Sequence, residues 1–205
     1  MSGSLFIISA PSGAGKTSLV HSLLETNPQI ALSVSYTTRA PRDGEVDGVA
    51  YNFVSIDTFV EMAGRGEFLE SAEVYGNFYG TGQNWILQEN ARDRDILLEI
   101  DWQGAAQVRK LFTDCISIYI LPPSMKALEQ RLNGRGKDSL DVINQRMTAV
   151  REDVAHVAEF DYVIINDNLT EALHEFNAIV SAARLRGVKQ LARHQTLINQ
   201  LQNPE

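Results

Sequence analysis

The sequence predicts an α/β fold: a parallel β-sheet flanked by helices, interrupted by a small mixed-β insertion and by a helical lid. Three observations predict it. Four short, continuous apolar runs, at residues 5–10, 96–100, 116–121 and 162–165, are each followed by a polar turn and a helical pattern, as expected of strands covered on both faces. Residues 35–83 break that rhythm with Gly, Tyr, Thr and acidic residues in alternating pieces. A glycine-rich charged stretch, Asn133-Gly134-Arg135-Gly136-Lys137-Asp138, separates two helical patterns and has the backbone freedom a lid needs.

Taken in order, the run at 5–10 is followed by a helix over 17–25 that keeps Leu19, Leu23 and Leu24 together. Within the insertion, residues 49–54 and 68–74 alternate as strands and residues 75–80 form a hairpin. The run at 96–100 ends in acid, with Glu99 and Asp101 on one face. Past the lid, Ile143, Met147, Val150, Val154 and Val157 recur at four- and three-residue steps, a stripe expected to be core. The tail from Lys189 is expected to form one more amphipathic helix through Leu191, Ile198 and Leu201. These patterns divide the chain into core (1–34), insertion (35–83), core (84–125), lid region (126–157), core (158–186) and helical tail (187–205). A homo-oligomer through the stripe or the tail stays open.

Composition bounds the function. With 205 residues, 44% hydrophobic and 21% charged, the chain can close one or two compact cores. Eighteen basic against 26 acidic residues leave a charge of −8, which disfavours a general nucleic-acid or anionic-membrane binder. Cys115 is the only cysteine, so intrachain disulfides and thiolate metal cages are excluded, and it is expected to be a small buried hydrophobe. His21, His156, His174 and His194 lack ligand spacing, and Trp85 and Trp102 are expected as packing anchors. The N-terminus lacks a basic, apolar leader, and no apolar run nears the roughly 18 residues a bilayer span needs. The expected setting is the reducing cytoplasm.

After the first strand come Pro11-Ser12-Gly13-Ala14-Gly15-Lys16-Thr17-Ser18, opening a helix. Gly13 and Gly15 let backbone N–H groups turn inward, Lys16 can reach β/γ-phosphates, and the Thr17 hydroxyl can ligate Mg²⁺. Ala10 replaces the first glycine of the G-x-x-x-x-G-K-S/T pattern, leaving seven of eight positions matched. Such a loop attracts a nucleoside triphosphate and makes the sheet one of the P-loop NTPase type. It does not by itself name a reaction.

The segment 35–42 (Ser35-Tyr36-Thr37-Thr38-Arg39-Ala40-Pro41-Arg42) places two guanidinium forks three residues apart, suited to one terminal phosphate. Tyr51 and the hairpin 75–80, through Tyr75 and Tyr79, add phenol hydroxyls, and Glu67-Phe68-Leu69-Glu70 offers carboxylates nearby.

Together these residues resemble the guanylate kinase family over about residues 4–186. The resemblance rests on S-x-T-T-R-x-P-R (35–42), G-x-x-Y-x-F (48–53), E-F-L-E (67–70), G-N-x-Y-G-T (76–81) and L-x-x-R-x-x-G-R-G (128–136). It implies transfer of the γ-phosphoryl of ATP to GMP with Mg²⁺. It also implies that Arg39, Arg42, Tyr51 and Tyr79 hold the GMP phosphate and that Ser35, Glu70, Thr81 and Asp101 contact guanine. Thr81 stands where many relatives carry Ser. Arg135 and Arg146 resemble the triphosphate clamps, with Arg39 a fellow phosphate-neutralising group, and Asn166-Asp167 resembles the adenine-side loop. Arg131 and Arg151 read equally as clamps or as helix-surface charges, and Asp101 as a guanine or a metal contact. ATP and GMP, with dGMP as a further acceptor, are the implied partners. Two rival readings stay open here: a catalytically silent binding module of the same shape, and a kinase for a phosphorylated sugar.

Overall fold

The computed structural model describes residues 3–92, 94–134 and 140–203, without side-chain detail at 134 and 140–147. In chain order its elements are β1 (Leu5–Ser9), α1 (Lys16–Thr26), β2 (Ile30–Leu32), β3 (Tyr36–Thr37), β4 (Asn52–Phe53) and α2 (Ile56–Gly64). They continue as β5 (Phe68–Val74), β6 (Asn77–Gly82), α3 (Gln83–Ala91), β7 (Asp95–Glu99), α4 (Trp102–Leu111) and β8 (Ile116–Leu121). The last third holds α5 (Met125–Gly134), α6 (Leu140–Ala155), β9 (Tyr162–Ile165), α7 (Leu169–Arg184), α8 (Gly187–Arg193) and α9 (Gln195–Gln202).

The core sheet runs β2-β7-β1-β8-β9, with every pairing parallel. Alternate residues of β1 explain its two covered faces. Phe6 and Ile8 pack with Leu19, Leu23, Phe176 and Val180 under α1 and α7, while Leu5 and Ile7 pack with Ile86, Ala105 and Val108 under α3 and α4. Because β1 lies between β7 and β8, the chain order reverses at its carboxyl end, the crevice where open α/β sheets bind ligands.

Residues 35–83 form a second sheet, β4-β3-β6-β5. Its β3–β4 pairing is parallel and its other two are antiparallel, so it is mixed as expected. The insertion has its own small core: Phe59 of α2 stacks on Phe68 and Phe78, with ring centroids 4.5 and 5.5 Å away. The β5–β6 hairpin closes through Tyr75 and Gly76, both with positive φ (51° and 72°), the two-residue turn whose twist suits adjacent strands.

Several expectations change. The sheet has a fifth strand, β2, whose three residues are too few to register as an apolar run. Residues 49–54 contribute only Asn52–Phe53 to the strand. Helix α2 was not foreseen because it buries only Phe59 and Met62, although Ser55 caps it by accepting from the Thr58 N–H at 3.1 Å. The tail is two helices that part at His194. Lys189 Nζ donates to Ser4 Oγ at 2.6 Å and pins α8 to the core, whereas Leu191, Leu197 and Leu201 stay exposed and no packing face holds one long helix together. Of the long stripe, Val150 is buried and Val154 and Val157 pack against core clusters, while the side chains of Ile143 and Met147 lie outside the described residues. Cys115 is half-buried. His156 lies flat on Trp102, with centroids 3.5 Å apart. No described helix is long and apolar enough to cross a membrane.

Candidate active site

A cleft of about 410 Å³ opens between the carboxyl ends of the core strands and the insertion. Its floor is the loop 9–17, where Gly13 and Gly15 have φ of 91° and 92°, conformations that L side chains avoid. A side chain at Gly13 would also strike Leu132 and Leu128 of α5, 2.8 and 2.9 Å from its Cβ position. Lys16 reaches across to donate to the Ile100 carbonyl at 3.3 Å, and Thr17 Oγ1 donates to Glu99 Oε1 at 2.7 Å. The expected loop residues Pro11, Ser12, Gly13, Gly15, Lys16 and Thr17 thus line the cleft, but Ala14 and Ser18 do not.

The loop is held from behind. Asn166 Nδ2 donates to the Ala14 carbonyl at 2.8 Å, and Arg131 of α5 donates to Ala14 O (3.3 Å) and Asn166 O (2.9 Å). Arg131 is therefore not a solvated surface charge. Asn166, buried at the end of β9, faces the loop backbone rather than the cleft, and Asp167 beside it is exposed. Arg151 is exposed on α6, Arg135 lies outside the described residues, and the Arg146 side chain likewise.

On the insertion side, Arg42, Tyr51 and Tyr79 line the cleft. Arg39 sits behind them, its Nη2 on both oxygens of Glu45 at 2.9 Å and its guanidinium 5.5 Å from the Tyr51 ring centre. Glu45 also accepts from the Arg42 N–H at 2.8 Å, so one carboxylate braces both arginines. It was not singled out in the sequence, where its only signal is its place three residues after Arg42. Burial, with Glu99 nearby, pushes the Tyr51 phenol up to about 12 and keeps it a hydrogen-bond donor.

Ser35, Glu70 and Asp101 line the cleft, whereas Thr81 is fully buried next to Glu70 and does not. Glu70 and Thr81 are cross-strand partners of β5 and β6, brought opposite by a register shift between Phe68 and Glu70, and Thr81 Oγ1 donates to Glu70 Oε1 at 2.6 Å. Glu70 is only 4% exposed. Burial, reinforced by Asp101, raises its carboxyl to about 7 against the Thr81 hydrogen bond. Asp101 caps α4 by accepting from the Gly104 N–H at 2.9 Å. Tyr75 of the expected hairpin lines the cleft as well, and Glu73, Trp102, Gln103, Glu152 and Asp153, which sequence reasoning did not assign to the site, form further parts of its walls. Burial, then Asp101 and Glu152, lifts Asp153 to about 6.

A buried carboxyl–hydroxyl pair on the insertion, Glu70 and Thr81, thus lies across one cleft from the glycine loop of the core. A family model for guanylate kinase matches residues 2–183. The chain belongs to the guanylate kinase family. It is 57% identical to the guanylate kinase of Methylobacillus flagellatus over 201 residues, covering 98% of this chain and all of that one. It is 58% identical to that of Aromatoleum aromaticum, with 95% of each chain covered. The crystal structure of guanylate kinase from Anaplasma phagocytophilum superposes with a TM-score of 0.78 at 33% identity, covering 91% of this chain and 89% of that one.

Proposed function

We propose that the cleft seats ATP and GMP head to head and moves the γ-phosphoryl directly between them, giving ADP and GDP. ATP:GMP phosphotransfer is the activity of the guanylate kinase family. The observation that carries the assignment of parts is the buried Glu70–Thr81 pair opposite the phosphate loop. Guanine presents N1–H and N2–H₂ side by side, which an ionised Glu70 accepts together, with Ser35, Thr81 and Asp101 around it. Adenine offers an acceptor at N1, which a carboxylate repels, and sites built on such buried hydrogen bonds reject the wrong analogue by on the order of 10⁴. dGMP carries the same guanine edge and phosphate and is a further acceptor on this reading.

A phosphate oxygen of GMP is already the attacking group, so no side-chain nucleophile is needed. Arg42, Tyr51, Tyr79 and Arg39 hold the acceptor phosphate in line and offset its charge against the incoming triphosphate. The loop amides of 11–18 and the Lys16 ammonium stabilise the charge on the transferring group, with Arg135 and Arg146 assigned to join on closure. The Thr17 hydroxyl and Glu99 carboxylate, hydrogen-bonded to each other at the loop, are hard oxygen donors that fit Mg²⁺ directly or through water. Bound there, Mg²⁺ would neutralise phosphate charge. Asn166 and Asp167 flank the side of the loop on which the adenine is expected. The lone free Cys115 is in keeping with a cytoplasmic setting.

Paired variants test this. Glu70→Ala is expected to raise the KM for GMP roughly hundredfold or more with the KM for ATP little changed. Lys16→Met is expected to cut kcat without loss of fold. Unaltered GMP kinetics in the first, or wild-type turnover in the second, would overturn the assignment.

A further inference from the structure

We propose that Gly104 is a specificity-positioning residue: its missing side chain is the space in which the Glu70 carboxylate lies against the first turn of α4. The inference rests on the assignment of Glu70 as the guanine reader and extends it to a residue that touches no substrate.

A Cβ placed on Gly104 would overlap Glu70 Oε2, and would stand 3.0 Å from Glu70 Cδ and 3.3 Å from Asp101 Oδ1. Backbone conformation does not call for glycine there. Among the described residues the positive-φ glycines are 13, 15, 44, 48, 66 and 76, whereas Gly104 is the third residue of α4 with ordinary helical geometry. Helix propensity alone favours alanine at such a position. Space, and not chain geometry, is what the glycine supplies.

The helix wall of that space does not yield easily. Gln107, one turn further along α4, donates to the Ser71 carbonyl at 2.8 Å and accepts from the Ser71 N–H at 3.2 Å, which clamps the helix to β5 next to Glu70. Gln103 Nε2 donates to the Glu73 carbonyl at 3.3 Å on the same strand. On the other side, the Glu70 carboxylate accepts from Thr81 through Oε1, and the oxygen that Gly104 faces is Oε2, at the end of a side chain that can turn. An added methyl must therefore turn the carboxylate, changing the direction of the two oxygens that a guanine edge would meet. The core helix sets the aim of an acid carried by the insertion.

Steady-state kinetics on Gly104→Ala, Glu70→Ala, Glu70→Asp and Gly104→Ala/Glu70→Asp test this, with thermal melts as the fold control. Gly104→Ala is expected to raise the KM for GMP about tenfold or more, with the KM for ATP held within about twofold. Its preference for GMP over inosine monophosphate, which lacks the 2-amino group, is expected to shrink. The shorter Asp relieves the overlap, so the double variant is expected to lose less than the product of the two single losses. A Gly104→Ala enzyme with GMP kinetics within about twofold of wild type, or strictly multiplicative losses in the double variant, would overturn the proposal. If Glu70→Ala itself leaves GMP kinetics unchanged, the guanine-reader assignment falls and this inference with it. If Gly104→Ala fails to fold, the double variant is still expected to fold, and its failure as well would count against the proposal.

Discussion

Glu70 is under two opposing demands. To accept two guanine N–H groups it must be ionised, yet its burial and the nearby Asp101 favour the neutral acid and raise it to about 7, while Lys16 and the Thr81 hydroxyl favour the anion. On the proposed role, binding of GMP completes its ionisation. The acceptor phosphate also titrates, near pH 6, so the informative quantity is the ratio of kcat/KM for GMP between wild type and Glu70→Gln. That ratio is expected to climb between about pH 6 and 8 and then level off; a flat ratio would contradict the assignment. The stability consequence has the opposite sign. A carboxyl raised from 4.5 to about 7 by folding stabilises the fold fully below about 4.5 and loses that contribution as pH rises through about 7. The melting temperature of wild type is thus expected to fall relative to Glu70→Gln between about pH 5 and 8, and parallel curves would count against it. The identity of Glu70 was legible in E-F-L-E, but its register shift, its bond to Thr81 and its clearance at Gly104 were not, because each joins residues distant in sequence. The same holds for Glu45, whose hold on Arg39 depends on the path of an irregular loop.

At the scale of elements, the phosphate loop is shaped from both sides. The glycines let its amides turn toward the cleft, and α5 and the end of β9 hold its outer carbonyl through Arg131 and Asn166. A hydrogen bond from a charged donor contributes about 1.5–3 kcal/mol, so Arg131→Ala is expected to raise the KM for ATP roughly tenfold to hundredfold. GMP affinity is expected to stay near wild type. Lys is not expected to rescue, since one ammonium lacks the planar fork that spans two carbonyls. An unchanged KM for ATP would show that the loop keeps its shape without this brace. Strand β1, the loop and α1 were readable because apolar run, glycines and helical stripe are contiguous. Elements β2 and α2 were hidden by brevity, and the tail by a periodicity with no core to pack on.

Across the whole molecule, the two sheets meet at the cleft, with Leu69 of β5 packed against the core cluster under α3 and α4. The loop proposed for the donor belongs to one sheet and the arginines proposed for the acceptor phosphate to the other, while the corner proposed for guanine is assembled from β5, β6 and the start of α4. Specificity therefore depends on the seating of the insertion against the core, which local sequence patterns do not encode. The fold class and most cleft-lining residues could be read because strand periodicity and motif spacing are local properties. The most direct test of the account is ADP release from the purified protein with ATP and Mg²⁺, compared across GMP, dGMP, AMP and ribose phosphate as acceptors. Rapid release with GMP and dGMP and only background with AMP and the sugar phosphate is the expected result. Equal turnover on AMP, or none on GMP, would contradict the claim that a buried carboxylate selects the acceptor base.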